Sequence, residues 1–164
     1  MTRTRPMVPD DHAEVLALNA DFVELLSPID EERLQRLVAW SDRALVVELD
    51  GGFAGFVLTF ATGSAYDGEN FAWFGARYDD LHYLDRIVLA PHTRRQGVAS
   101  AVYDELERDC GRPVLCLEVN LEPPNEASLA FHRGRGYVEV GQRESGGHLV
   151  SMMAKALAPD LSAG

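Results

Sequence analysis

The feature that most restricts the fold is a short basic turn, Arg94-Arg95-Gln96-Gly97-Val98-Ala99, set directly between a strand-like segment and the clearest helical pattern in the chain. Residues 81–89 are rich in strand formers, and Pro91 ends them. From Gln96 to Cys110, the residues Val98, Ala101, Val102 and Leu106 fall on one face. Asp104, Glu105, Glu107 and Arg108 fall on the other, so the spacing predicts a helix with one buried side. Gly111 and Pro113 stop it. The unbroken apolar run at 114–117 opens a second strand, 114–119, of the kind found inside a sheet. Strand, helix and strand make a βαβ-like unit.

The residue types in the turn point to an anion. A helix start leaves backbone N–H groups without helical partners, and the helix dipole adds partial positive charge there. A pyrophosphate can be held by those groups. Gly97 and Ala99 are small enough to let phosphate oxygens reach the backbone, while Arg94 and Arg95 add donors and charge. No dinucleotide fingerprint of three spaced glycines is present, and no Gly-Lys-Ser/Thr follows as in a P-loop. Taken alone, a basic loop that merely starts a helix would look the same.

The rest of the chain reads as one domain, residues 1–158, with a frayed tail at 159–164. Residues 3–8 form a short opening strand. Asp11 can cap a first helix with Glu14 reaching back, and Val15, Leu18, Phe22 and Leu25 line it. Asp30 starts a second helix, buried through Leu34, Leu37 and Val38. Segments 44–49 and 53–60 make a hairpin around Asp50-Gly51-Gly52. Residues 61–80 are a long connection carrying Tyr66, Phe71, Trp73, Phe74 and Tyr78; such a connection is functional or mobile. A short helix spans 125–133, and 137–142 pairs with 148–156 around Gly146-Gly147. This order predicts an α/β fold with a mixed, partly antiparallel sheet.

Composition excludes some functions. The net charge is −11, from 15 basic and 26 acidic residues, which argues against nucleic acid and anionic membranes and is compatible with a cationic acceptor. No stretch approaches the roughly 20 apolar residues of a membrane helix, and the start has no secretory pattern. Cys110 and Cys116 match no metal spacing and read as packing thiols of a cytoplasmic protein. No metal site is expected.

The turn and its strand, Tyr83-Leu84-Asp85-Arg86-Ile87-Val88-Leu89-Ala90-Pro91 through Ser100, resemble the CoA-binding motif of the GNAT superfamily of N-acetyltransferases. A second signature, Asn125 through Phe131-His132 to Gly136-Tyr137, resembles the family's later segment, and the element order is similar from end to end. The resemblance implies two splayed parallel strands, 81–89 and 114–119, with the pantetheine arm of acetyl-CoA between them. The edge at Ile87, Val88 and Leu89 would bond its amides. Arg94, Arg95, Gln96, Gly97, Val98, Ala99 and Ser100 would hold the pyrophosphate, and Asn125 would contact the arm or cap its helix. It implies acetyl-CoA as co-substrate, an amine as acceptor and, by family habit, a homodimer.

Direct acetyl transfer needs a neutral amine, a stabilised thioester oxygen and a proton or hydrogen bond for the departing sulfur. Oxyanion stabilisation falls, by resemblance, to the N–H of Val88 or Leu89. Where the family commonly has a tyrosine as general acid this chain has His132, whose imidazole can still serve the sulfur. Asp85 and Glu118, on the two splayed strands, are candidates for the base; taken singly, each reads first as a solvated or ion-paired carboxylate. Asp85 and Arg86 are strand neighbours and should point to opposite faces. Asn19, Phe22, Glu24 and the 61–80 connection, with Tyr66, Asp67, Glu69, Trp73, Asp79 and Asp80, could form an acceptor pocket or simply cover the sheet. Two rivals to a small-molecule enzyme are a non-catalytic CoA-binding sensor and an acetyltransferase acting on protein N-termini or lysines.

Overall fold

The computed structural model describes residues 1–22 and 26–157. Glu24, Leu25 and the expected tail lie outside them. In chain order the elements are β1 (Thr2–Pro6), α1 (His12–Asp21), α2 (Glu31–Trp40), β2 (Arg43–Leu49), β3 (Gly52–Ala61) and α3 (Glu69–Gly75). There follow β4 (His82–Leu89), α4 (Val98–Arg108), β5 (Val114–Glu122), α5 (Glu126–Gly134), β6 (Val138–Ser145) and β7 (His148–Ala156). The strands form one mixed sheet of order β1-β2-β3-β4-β5-β7-β6. Among the described residues only β4 and β5 run parallel, as the βαβ unit requires.

Helices cover both faces. On one, Val15, Leu18, Leu34 and Leu37 of α1 and α2 pack with Phe56, Leu58 and Phe60 of β3. On the other, Val98, Val102 and Leu106 of α4 and Leu129 of α5 pack with Val57, Leu115 and Leu117. Burying these side chains on both sides of the sheet drives the assembly, at about 1.5–3 kcal/mol for each large apolar residue. Cys110 and Cys116 are free and buried, and burial pushes the Cys116 thiol up to about 12.

Two irregularities shape the middle of the sheet. The parallel pairing of β4 with β5 consists of His82 with Leu115 and Tyr83 with Cys116. Beyond Tyr83 the strands diverge. In the β3–β4 ladder Leu58 faces Arg86 and Thr59 faces Leu84, so Asp85 is an extra, unmatched residue. Such a bulge bends the strand and re-aims its side chains.

The structure departs from the sequence reading in places. Asp11 does not cap α1. It accepts the Val8 N–H at 2.8 Å and both guanidinium nitrogens of Arg5 at 2.8 and 2.7 Å, because a 3₁₀ turn at Pro9–Asp11 precedes the helix. The 61–80 connection contains α3, too short to show a helical repeat in sequence. Its Phe74 is fully buried, and Tyr66 stacks on Phe60 with centroids 3.8 Å apart. In α4 Tyr103 is buried and Ala101 exposed, which turns the buried face slightly from the expected one. Glu107 does not face water: its carboxylate pairs with Arg135 and Lys155.

Candidate functional site

Where β4 and β5 part, a cleft of about 840 Å³ opens between them. It reaches side chains from both faces of the sheet. Asp85, Glu118, Tyr66 and Tyr83 line it on the α1–α2 side, and Tyr103 and His132 on the α4–α5 side.

The first wall is a network of carboxylates. Glu118 accepts the Tyr83 hydroxyl on both oxygens, at 2.8 and 2.7 Å. Burial, with Asp85 nearby, pushes its carboxyl up to about 7. Asp85 is compensated instead. It accepts the Tyr66 hydroxyl at 2.7 Å and the Arg86 Nε at 3.0 Å. That pair corrects the expectation that Asp85 and Arg86 point apart: the bulge puts successive side chains on one side. Arg86 spends its remaining donors on Asn19 Oδ1 at 2.9 Å and on Ser27. Asn19 is therefore a buried support for Arg86, while Phe22 lines the cleft.

The second wall is an aromatic cluster. The His132 Nδ1 lies 2.7 Å from the Ser128 carbonyl, which can only accept, so Nδ1 carries the proton. Its Nε2, 2.6 Å from the Tyr103 hydroxyl, is then an acceptor in the neutral ring. Burial holds His132 below its ordinary value and Tyr103 above its own. Asn125 caps α5, its side chain accepting the Ser128 N–H at 3.2 Å, and it also lines the cleft.

The basic turn follows the end of β4, outside the cleft walls. Gly97 has φ +71° and ends the turn in a left-handed conformation suited to glycine; Arg95 has φ +62°. The first helical bond of α4 runs from the Ala101 N–H to the Gly97 carbonyl, leaving the N–H groups of Val98, Ala99 and Ser100 without acceptors inside the helix. A side chain at Gly97 would meet open space. Arg94, Arg95 and Gln96 are exposed, and neither arginine has an ion-pair partner among the described residues. Free charge, free donors and open space together fit a phosphate group. Tyr103 lies roughly 7.5 Å further along the same helix.

A sequence profile described as Acetyltransferase (GNAT) family matches residues 13–137, well over half of the chain. The chain belongs to the GNAT acetyltransferase family. Among solved structures, Ard1 from Thermoplasma volcanium has a TM-score of 0.75 at 16% identity, with 96% of this chain and 99% of that one covered. An acetyltransferase of the GNAT family from Streptococcus pneumoniae has a TM-score of 0.69 at 23% identity, over 96% and 100% of the two chains. Naa50 of Arabidopsis thaliana, in complex with the bisubstrate analogue CoA-Ac-MVNAL, has a TM-score of 0.71 at 10% identity, over 94% and 98%. At these identities the likeness is one of fold. No curated protein matches the sequence significantly.

In this GNAT domain the cleft brings together Asp85, Ile87, Val88, Leu89, Glu118, Asn125 and His132. Arg94 through Ser100 stand apart, along α4 and its preceding turn. Sequence reasoning missed Tyr83, Arg86 and Tyr103 as members of the cleft. The only signal for Tyr103 is a phenol flanking Val102, on the helix that the turn itself starts. Among the described residues no helix is long and apolar enough to cross a membrane, and no group of three His, Cys, Asp or Glu could hold a metal.

Proposed function

We propose that the protein transfers an acetyl group from acetyl-CoA directly to an amine, and that residues 1–158 form its acetyltransferase domain. The observation that carries the reading is Glu118, a carboxylate pushed up to about 7 inside a cleft between splayed strands. A base of that strength is half ionised near neutrality, the condition under which general-base catalysis is most effective. A sensor needs no such group, which favours an enzyme over a CoA-binding regulatory module.

In this proposal the turn at Arg94–Ser100 holds the pyrophosphate and the β4 edge at Ile87–Leu89 holds the pantetheine amides, with Asn125 beside them. Acetyl-CoA supplies the acetyl group on a thioester. Glu118 takes the amine proton, directly or through water. Asp85, held by Arg86 and Tyr66, places its carboxylate near Glu118 and offers an attraction for a cationic amine. An N–H of Val88 or Leu89 meets the developing oxyanion. His132 stands on the sulfur side of the cleft, its two nitrogens bonded to the Ser128 carbonyl and the Tyr103 hydroxyl. Two buried free thiols suit a reducing cytoplasmic setting.

The test is release of CoA thiol across a panel of small amines, lysine peptides and peptide N-termini. At least one class should turn over, and Glu118→Gln should lower kcat by about 10²-fold or more while acetyl-CoA affinity holds. An active Glu118→Gln enzyme would remove the base assignment. Silence across the panel, with acetyl-CoA bound, would return the sensor reading to first place.

A further inference from the structure

We infer that Tyr103 presents its hydroxyl to the sulfur of the bound acetyl donor, with His132 standing behind it as the residue that positions and reprotonates it; this rests on the acetyl-CoA reading above. Three observations carry it. Tyr103 lines the cleft, on the opposite face of the sheet from Glu118. Both nitrogens of His132 are already engaged, Nδ1 with the Ser128 carbonyl and Nε2 with the Tyr103 hydroxyl. The phenol ring is held edge-on by His132, with centroids 5.2 Å apart, and by Phe131 at 5.0 Å, so its oxygen is fixed in place while the O–H can still rotate.

The pair can take two states. With neutral His132, the Tyr103 O–H points at Nε2. With His132 protonated, Nε2–H donates to the phenol oxygen and the Tyr103 O–H is free to turn into the cleft. Burial favours the neutral ring at rest; the Ser128 carbonyl and Glu107 favour the charged one, and Arg135, which opposes it, is itself paired with Asp104 and Glu107. In the transfer step the amine nitrogen bonds to the acetyl carbon, and the carbon–sulfur bond breaks with its electron pair remaining on sulfur. Tyr103 passes its hydroxyl proton to that sulfur and takes the Nε2 proton of His132. His132 ends neutral and recovers a proton from water, while the amine proton leaves through Glu118. One proton enters and one departs, so the step balances.

The test reads the sulfur itself and needs no acceptor. The thiolate absorbance of bound CoA is followed against pH, with the desulfo-CoA complex subtracted to cancel the protein's tyrosines. The wild-type complex should hold the thiol about one pKa unit below that of free CoA, as a hydroxyl donor at the sulfur favours the anion. Tyr103→Phe should return it to the free value. His132→Asn, which serves also if the first variant does not fold, should move it at least halfway back. A wild-type thiol that titrates like free CoA, or a Tyr103→Phe variant that keeps the lowered value, would overturn the inference and leave the acetyl-CoA reading intact. Failure of CoA to bind the wild type at all would overturn both.

Discussion

The two ends of the site are built in opposite ways. The basic turn, proposed to hold the phosphates, is exposed and local: consecutive residues, Arg94 to Ser100, supply charge, donors and room, and the arginines touch no carboxylate among the described residues. The carboxylate end, proposed to meet the acceptor, is buried and distributed. Asp85 depends on Tyr66 from the 61–80 connection and on Arg86, which depends on Asn19 of α1 and Ser27. The first end can be altered without disturbing the fold, and the second cannot. Binding and stability are therefore separable at one end and joined at the other.

The sharpest way to break that contrast is Arg86→Met. It strips Asp85 of its charge partner at a site where both side chains are only 8% exposed. The expected loss is about 3 kcal/mol of stability, the cost of an uncompensated buried charge, read as a melting temperature lower by roughly 10 °C. Next in size is the double substitution Arg94→Ala, Arg95→Ala. It should weaken acetyl-CoA binding by about 10-fold or more and flatten its salt dependence, with no change in melting. A melting loss comparable to that of Arg86→Met would show that the turn is as structural as the acceptor end.

The smallest effect sharpens the comparison within the acceptor end. The negative charge of Asp85 helps to raise the Glu118 carboxyl from its ordinary 4.5 to about 7. If Glu118 is the base it must be ionised, so the rising limb of the turnover profile should have its midpoint near pH 7. Asp85→Asn should move that midpoint down by less than about one pKa unit, since burial is the larger cause. The sign for stability is opposite. A carboxyl whose folded pKa is raised binds its proton more tightly when folded, so this group's contribution to stability falls as pH rises from about 4.5 to about 7. Glu118→Gln should remove that part of the pH dependence of melting.

The same contrast explains what could be read from the sequence. The βαβ unit, the turn and the cap at Asn125 are local patterns, visible because hydrophobic spacing and turn residues announce them within a few positions. The acceptor end turns on the bulge at Asp85, which no local spacing marks and which reverses the inference that Asp85 and Arg86 point apart. Tyr103 was hidden by a small rotation of the α4 face: placing Ala101 inside leaves the phenol off the buried stripe, whereas the helix buries Tyr103 and exposes Ala101. Seven-residue α3 is too short for its period to show, and its aromatics read as loop until Phe74 is seen in the core.

The central claim is that the turn before α4 holds the phosphates of acetyl-CoA. Calorimetry of acetyl-CoA with wild type and with Gly97→Glu tests it most directly. A glutamate there brings negative charge and bulk to the open side of the turn, and its left-handed backbone adds only about 1–2 kcal/mol of strain, checked by a parallel melting curve. The account predicts micromolar binding by the wild type, about −8 kcal/mol, and none by the folded variant. Equal binding by both proteins would contradict it and place the phosphates elsewhere.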